Sequence, residues 1–126
     1  MEGKFVTAIN CMDGRTQRPV NQWLRRRFNA QFVDTVTEPG PVRLLAEGLY
    51  LTRLDWMKEK LSISVNHHGS GMIALVAHHD CAGNPVDRDR QLAQLAASAI
   101  KVKEWFPACE VVKLWVNENW EVEEIE

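Results

Sequence analysis

Residues Met72 to Ala77, Met-Ile-Ala-Leu-Val-Ala, form an unbroken apolar run with no polar face. The run has the length of a strand, and a strand without a polar face must be covered on both sides. That requirement points to a parallel sheet with helices packed on each surface. The run then gives way to His78, His79, Asp80 and Cys81, four side chains able to bind a metal or move protons. Open α/β sheets take their ligands at the carboxyl ends of their strands. The rest of the chain is therefore read for what it brings to that end.

Other segments agree with such a sheet. Lys4 to Cys11 reads as a first buried strand, ending in Met12-Asp13-Gly14-Arg15. From Thr16 the pattern turns helical, with Pro19 expected in the first turn and Val20, Trp23, Leu24 and Phe28 at helical spacing. Phe32 to Thr37 is a second strand nearer an edge, broken by Glu38-Pro39-Gly40-Pro41. Val42 to Leu51 admits a short helix stopped by Gly48. Leu54, Met57, Leu61 and Val65 mark one face of another, with His67 and His68 in its last turn and Gly69 as its stop. Leu92, Leu95, Ala99, Val102 and Phe106 stripe a long helix closed by Pro107, and Glu110 to Val116 is a fourth strand. The tail with Trp120, Val122 and Ile125 has no clear period. The expected fold is an open, mainly parallel α/β sheet of about four to five strands with helices on both faces.

At 126 residues the chain is expected to form a single domain, residues 1–126. A formal charge of -2 gives no footprint for nucleic acid, and Arg25, Arg26 and Arg27 read as a solvated helix face. No run approaches the roughly 20 apolar residues that span a bilayer. Met-Glu-Gly-Lys leads directly into a strand, so no secretory signal is expected, and three cysteines, an odd number, suit free thiols in a reducing compartment. The expected location is cytoplasmic.

Cys11 and Cys81 each lie just past a long apolar strand. If those strands are neighbours, both thiols and His78 meet at one crevice. Two thiolates and an imidazole suit Zn²⁺, and three protein ligands leave a fourth tetrahedral position for water. Asp13 lies close enough in sequence to hydrogen-bond that water or to take the fourth position itself. Arg15 can hold Asp13 by a charge-assisted bond. Asp80 reads as a supporting or turn-stabilising carboxylate rather than a ligand.

Cys11-Met12-Asp13-Gly14-Arg15 resembles the Cys-x-Asp-x-Arg motif of the β-class carbonic anhydrases, and His78-His79-Asp80-Cys81 resembles their His-x-x-Cys motif. The order of the motifs and the strand–helix units between them also agree, over roughly Lys4 to Val116. The resemblance implies that Cys11, His78 and Cys81 bind zinc and that Asp13 and Arg15 form the pair controlling the metal's water. It further implies reversible hydration of carbon dioxide to bicarbonate by hydroxide generated at zinc. Gly14 stands where the family has serine, Ala77 and Ala82 stand where it commonly has glycine, and Thr37-Glu38-Pro39-Gly40-Pro41 replaces its Asn-Ala-Gly pattern. These changes remodel the substrate pocket and keep a sulfur analogue such as COS or CS2 open as substrate. The family's N-terminal helices, which embrace a partner subunit, are not seen in the sequence.

Two other classes stay open: a non-catalytic zinc-binding or regulatory protein, and a thiol redox protein in which Cys11 and Cys81 form a reversible disulfide. Cys109 reads as a small buried hydrophobe. His67 and His68 read as cations at a helix C-terminus, and His79 as a residue pointing away from His78. Asp13 and Arg15 alone are also compatible with a structural ion pair. A homodimer or larger oligomer is expected, with Trp115, Trp120, Val122 and Ile125 covering the contact.

Overall fold

The fold is seen in a computed structural model that describes residues 3–126. Its centre is a five-stranded sheet of order β2-β1-β3-β4-β5. The strands are β1 (Phe5–Cys11), β2 (Phe32–Glu38), β3 (Met72–His78), β4 (Glu110–Val116) and β5 (Val122–Ile125). The first four are parallel, and β5 runs antiparallel to β4 along one edge. The helices are α1 (Gly14–Phe28), α2 (Pro41–Glu47), α3 (Leu51–Ser62) and α4 (Arg88–Trp105), and Ile63–His67 forms a π-helical turn continuing α3.

Every residue of β3 is buried, as its apolar run requires. On one face Ala74 and Val76 pack with Val6, Ala8 and Leu114 against Val20 and Leu24 of α1. On the other, Ile73, Leu75 and Ala77 meet Leu45 of α2, Met57 and Leu61 of α3 and Leu95 of α4. Each valine, leucine, isoleucine or methionine among them contributes about 1.5–3 kcal/mol when fully buried. β3 is thus the strand least able to accept a polar residue on either face.

β1 pairs with β2 on one side and with β3 on the other, in register Thr7 to Ile73 and Ile9 to Leu75. The chain reverses direction across the sheet between β1 and β3, and their carboxyl ends open a crevice there. Cys11 closes β1 and His78 closes β3 at that crevice.

Several local expectations are corrected or refined. Asp13 caps α1 by accepting the backbone N–H of Arg15, so the helix starts at Gly14 rather than at Thr16. Pro19 therefore falls in the second turn, where it removes the hydrogen bond to the Arg15 carbonyl, yet the helix continues through it. The apolar face of α3 continues to Val65, which packs against the same core, and in the π turn Ser64 also takes an inward position. Its hydroxyl reaches Thr7 at 2.6 Å and Asp34 at 2.7 Å, partners that come from β1 and β2. His68 is not a free cation at the helix end, because its Nδ1 pairs with the same Asp34 carboxylate and its ring packs on Phe5. Trp115 lies buried in this chain's own core and is not available to a partner surface.

Candidate metal centre

The crevice brings together the three residues picked out as ligands. Cys11, His78 and Cys81 are all buried, and their donor atoms lie within 4.8 Å of one another. The two Sγ atoms stand 3.9 Å apart. Two sulfurs each bound to a tetrahedral zinc at about 2.3 Å would stand about 3.8 Å apart. His78 Nδ1 meets the carbonyl oxygen of His79 at 2.7 Å, which fixes the proton on Nδ1 and leaves Nε2 as a lone pair. That Nε2 is buried without a hydrogen-bond partner. A buried polar atom in this state is costly unless something else binds it, and a cation between the two sulfurs would do so.

The surroundings favour thiolate. Cys11 is held well below its ordinary value, first by the hydrogen bond from Cys81 and then, against the cost of burial, by His78 and by the backbone N–H groups of Gly40 and Asp13. Cys81 is pushed up because it is the donor to Cys11 and is itself buried. The pair thus shares a proton across its sulfurs. His78 lies above its ordinary value: burial pulls it down, but Cys11, the His79 carbonyl and Asp13 outweigh that effect. Protons and a metal compete for these same atoms. Backbone N–H groups of Gly83 and Asn84 face Cys81 in turn.

Two glycines make this lining possible. A Cβ on Gly83 would lie 2.7 Å from the backbone of Pro39, and one on Gly40 would lie 2.8 Å from the carbonyl of Gly83. The loop after β2 is thereby locked against the loop after Cys81, backbone to backbone. Sequence reasoning read Gly40 only as a loop breaker and gave Gly83 no role, since their contact joins distant segments.

Asp13 and Arg15 form the expected pair. Arg15 Nη2 donates to Asp13 Oδ2 at 2.7 Å and Nε donates to Oδ1 at 3.1 Å. Arg15 holds the Asp13 carboxyl down to about 2, chiefly through these hydrogen bonds. Asp13 Oδ2 lies 4.0 Å from His78 Nε2, beside the three donor atoms but outside their cluster. Asp80 binds Arg15 rather than the cluster: its Oδ2 accepts from Nη1 at 3.2 Å and its carbonyl from Nη2 at 3.1 Å. Trp120 lies over the Arg15 guanidinium, 4.3 Å from its carbon. His79 is exposed and serves the site through its carbonyl. Cys109 is buried away from the crevice, and its thiol donates to the Ser70 carbonyl. Gly14 has open space where a Cβ would sit, so the larger residue usual there is not excluded by packing.

The fold is similar to several solved carbonic anhydrases. A carbonic anhydrase of Streptococcus mutans is 14% identical and superposes with a TM-score of 0.66, covering 96% of this chain and 81% of that one. Two tetrameric β-carbonic anhydrases of Sordaria macrospora are represented by a chain 10% identical, with a TM-score of 0.59 over 99% of this chain and 82% of the other. A β-carbonic anhydrase of Aspergillus fumigatus is 14% identical with a TM-score of 0.54, covering 96% and 74%. No curated protein matches the sequence. The family described as "Putative carbonic anhydrase" matches residues 1–126. The chain belongs to that carbonic anhydrase family and has the α/β fold of the β-carbonic anhydrases.

Proposed function

We propose that this protein is a zinc enzyme that hydrates carbon dioxide reversibly to bicarbonate, with Cys11, His78 and Cys81 as metal ligands and Asp13 and Arg15 as catalytic residues. The observation that carries the proposal is the unpartnered Nε2 of His78 facing two sulfurs 3.9 Å apart. Zinc held there would supply a Lewis acid that makes water a nucleophile near neutral pH. The chain's own residues do the rest. Cys11 and Cys81 would bring two negative charges that balance the ion, and His78 binds through a nitrogen freed by the His79 carbonyl. Asp13 is ionised throughout the neutral range and would accept a hydrogen bond from the reacting water. Arg15 engages both oxygens of that carboxylate and keeps it from becoming a fourth ligand.

Metal analysis of protein purified without added zinc, together with stopped-flow hydration assays on carbon dioxide and on COS, tests this. About one zinc per chain and carbon dioxide hydration are expected. Full zinc with neither substrate turned over would leave a metal carrier. Absent zinc, with Cys11 and Cys81 titrating against a redox buffer, would leave the thiol redox reading.

We also propose a homo-oligomer. Leu49, Tyr50 and Leu51 at the α2–α3 corner, with Trp56 of α3, are exposed large apolar side chains. Such a patch is unusual on a monomer, and a solved relative in fold is tetrameric. Light scattering at micromolar concentration should give a mass at least twice the 14.4 kDa of one chain. A monomer would overturn this assignment. Among the described residues, no helix is long and apolar enough to cross a membrane.

A further inference from the structure

We propose that Asp80 and Trp120 are positioning residues that hold Arg15 on Asp13, so that the pair is clamped by the loop after β3 and by the β4–β5 turn. The inference rests on the roles given above to Asp13 and Arg15 and extends them to two residues outside those roles. Arg15 has a long side chain, 45% exposed, and an exposed ion pair with Asp13 alone would compete with water for its geometry. Instead four of its five N–H groups are engaged. Nε and Nη2 serve Asp13, while Nη1 and Nη2 serve the Asp80 carboxylate and carbonyl. One face of the guanidinium is covered by the Trp120 ring at 4.3 Å, within the range of a cation–π contact.

The backbone gives an independent reason. Asp80 has φ 57° and Trp120 has φ 59°, the left-handed region that side chains other than glycine, asparagine and aspartate rarely occupy. Asn117 pairs with Glu121 across a three-residue loop, Glu118-Asn119-Trp120, and the Asn117 side chain accepts the N–H groups of Asn119 and Glu121. In hairpin loops of this length the last position is left-handed and ordinarily glycine. Tryptophan there is unfavourable for the turn, and what it gains is the stack on Arg15. Strain retained beside a functional group is an argument for a role of the side chain. Asp80 follows β3 directly and Trp120 comes from the turn after its neighbour β4, so Arg15 is fixed relative to the strand end that carries His78.

The variants Asp80→Gly, Trp120→Gly and their combination remove the Asp80 carboxylate and the Trp120 ring, leaving the residue-80 carbonyl in place, and suit the left-handed backbone. Asp80→Asn and Trp120→Phe keep an acceptor and a ring. The direct readout is the Arg15 Nε–H signal in NMR, assigned by its loss in Arg15→Lys, and its solvent exchange in zinc-loaded protein. Exchange should quicken on the order of tenfold in each glycine variant and further in the double variant, with near-parental protection in the conservative ones. Zinc content should not change. In the same proteins kcat for hydration should fall several-fold while KM stays level. A purely structural role predicts the reverse for Trp120→Gly: relief of the backbone strain with no change at Arg15. An Nε–H that exchanges as slowly in both single glycine variants as in the parent overturns the clamp, even where the double variant does not fold. If the parent shows no hydration, the proposed activity falls, yet the exchange rates still decide the clamp.

Discussion

Replacing Cys81 with serine is expected to take zinc from about one ion per chain to almost none. The Cys81 sulfur is buried 3.9 Å from that of Cys11, and the His78 nitrogen beside them has no partner of its own. A serine hydroxyl is shorter, harder and far less acidic than a thiol, so it offers zinc neither the reach nor the negative charge. Two ligands would remain, too few for a tetrahedral site. The scaffold should still fold, because the core on both faces of β3 is built from apolar contacts that do not include the cluster. Stability should nonetheless drop, since an ion that binds only the folded state contributes about 4 kcal/mol at a thousandfold excess over its Kd. For a chain of this size that corresponds to a midpoint lower by on the order of 10 °C. Cys11→Ser should behave alike. Cys109→Ser is the control, for it removes a buried thiol that donates to the Ser70 carbonyl, and its zinc content should equal the parent's. Full zinc in both Cys11→Ser and Cys81→Ser would sink the ligand assignment.

What could be read from the sequence divides along a physical line. β3 was legible because a strand buried on both faces has to be continuously apolar, and nothing else in the chain has that pattern at that length. The cluster was legible because its chemistry depends on residue type at strand ends, and the sheet order supplies the condition that reading needed by making β1 and β3 neighbours. Features set by contacts between distant segments were not. The 3.6 period gave Val65, which packs on the core, but not the inward Ser64, whose hydroxyl donates to Asp34 and lies 2.6 Å from that of Thr7. Trp115 carries no inward or outward signal, because much of β4 is buried on both faces and alternation is lost. Trp120 lies in a turn, where no period applies, and its relation to Arg15 exists only once β5 has folded back on β4. The lock between Gly40 and Gly83 joins two loops that neighbour each other only through the sheet.

The second large effect is expected in Arg15→Ala and Asp13→Asn. Both should keep their zinc, since neither residue is one of the three donors. Both should also keep α1: alanine is the best helix former, and asparagine caps a helix N-terminus as well as aspartate. Loss of Arg15 removes the hydrogen bonds that hold the Asp13 carboxyl at about 2. Its value then returns toward the ordinary range near about 3.9, still below any pH at which hydration is assayed. Asp13 is therefore ionised in parent and variant alike, and what changes is its freedom to move. Its nearer oxygen is 4.0 Å from His78 Nε2, so a modest rotation brings a carboxylate among the ligands, where it competes with water for the open position. Hydroxide rises about tenfold with each pH unit while the carboxylate does not change, so the competition favours Asp13 at low pH. The loss of activity in Arg15→Ala should accordingly be deepest near pH 6, on the order of a hundredfold, and shrink toward pH 9. Asparagine brings no charge to the metal and cannot close the site in this way. Asp13→Asn should therefore lose activity to a similar extent with no such recovery at high pH. Parallel pH–rate profiles of the two variants would remove the closing role from Asp13, and parental rates in both from pH 6 to pH 9 would remove the pair from catalysis altogether.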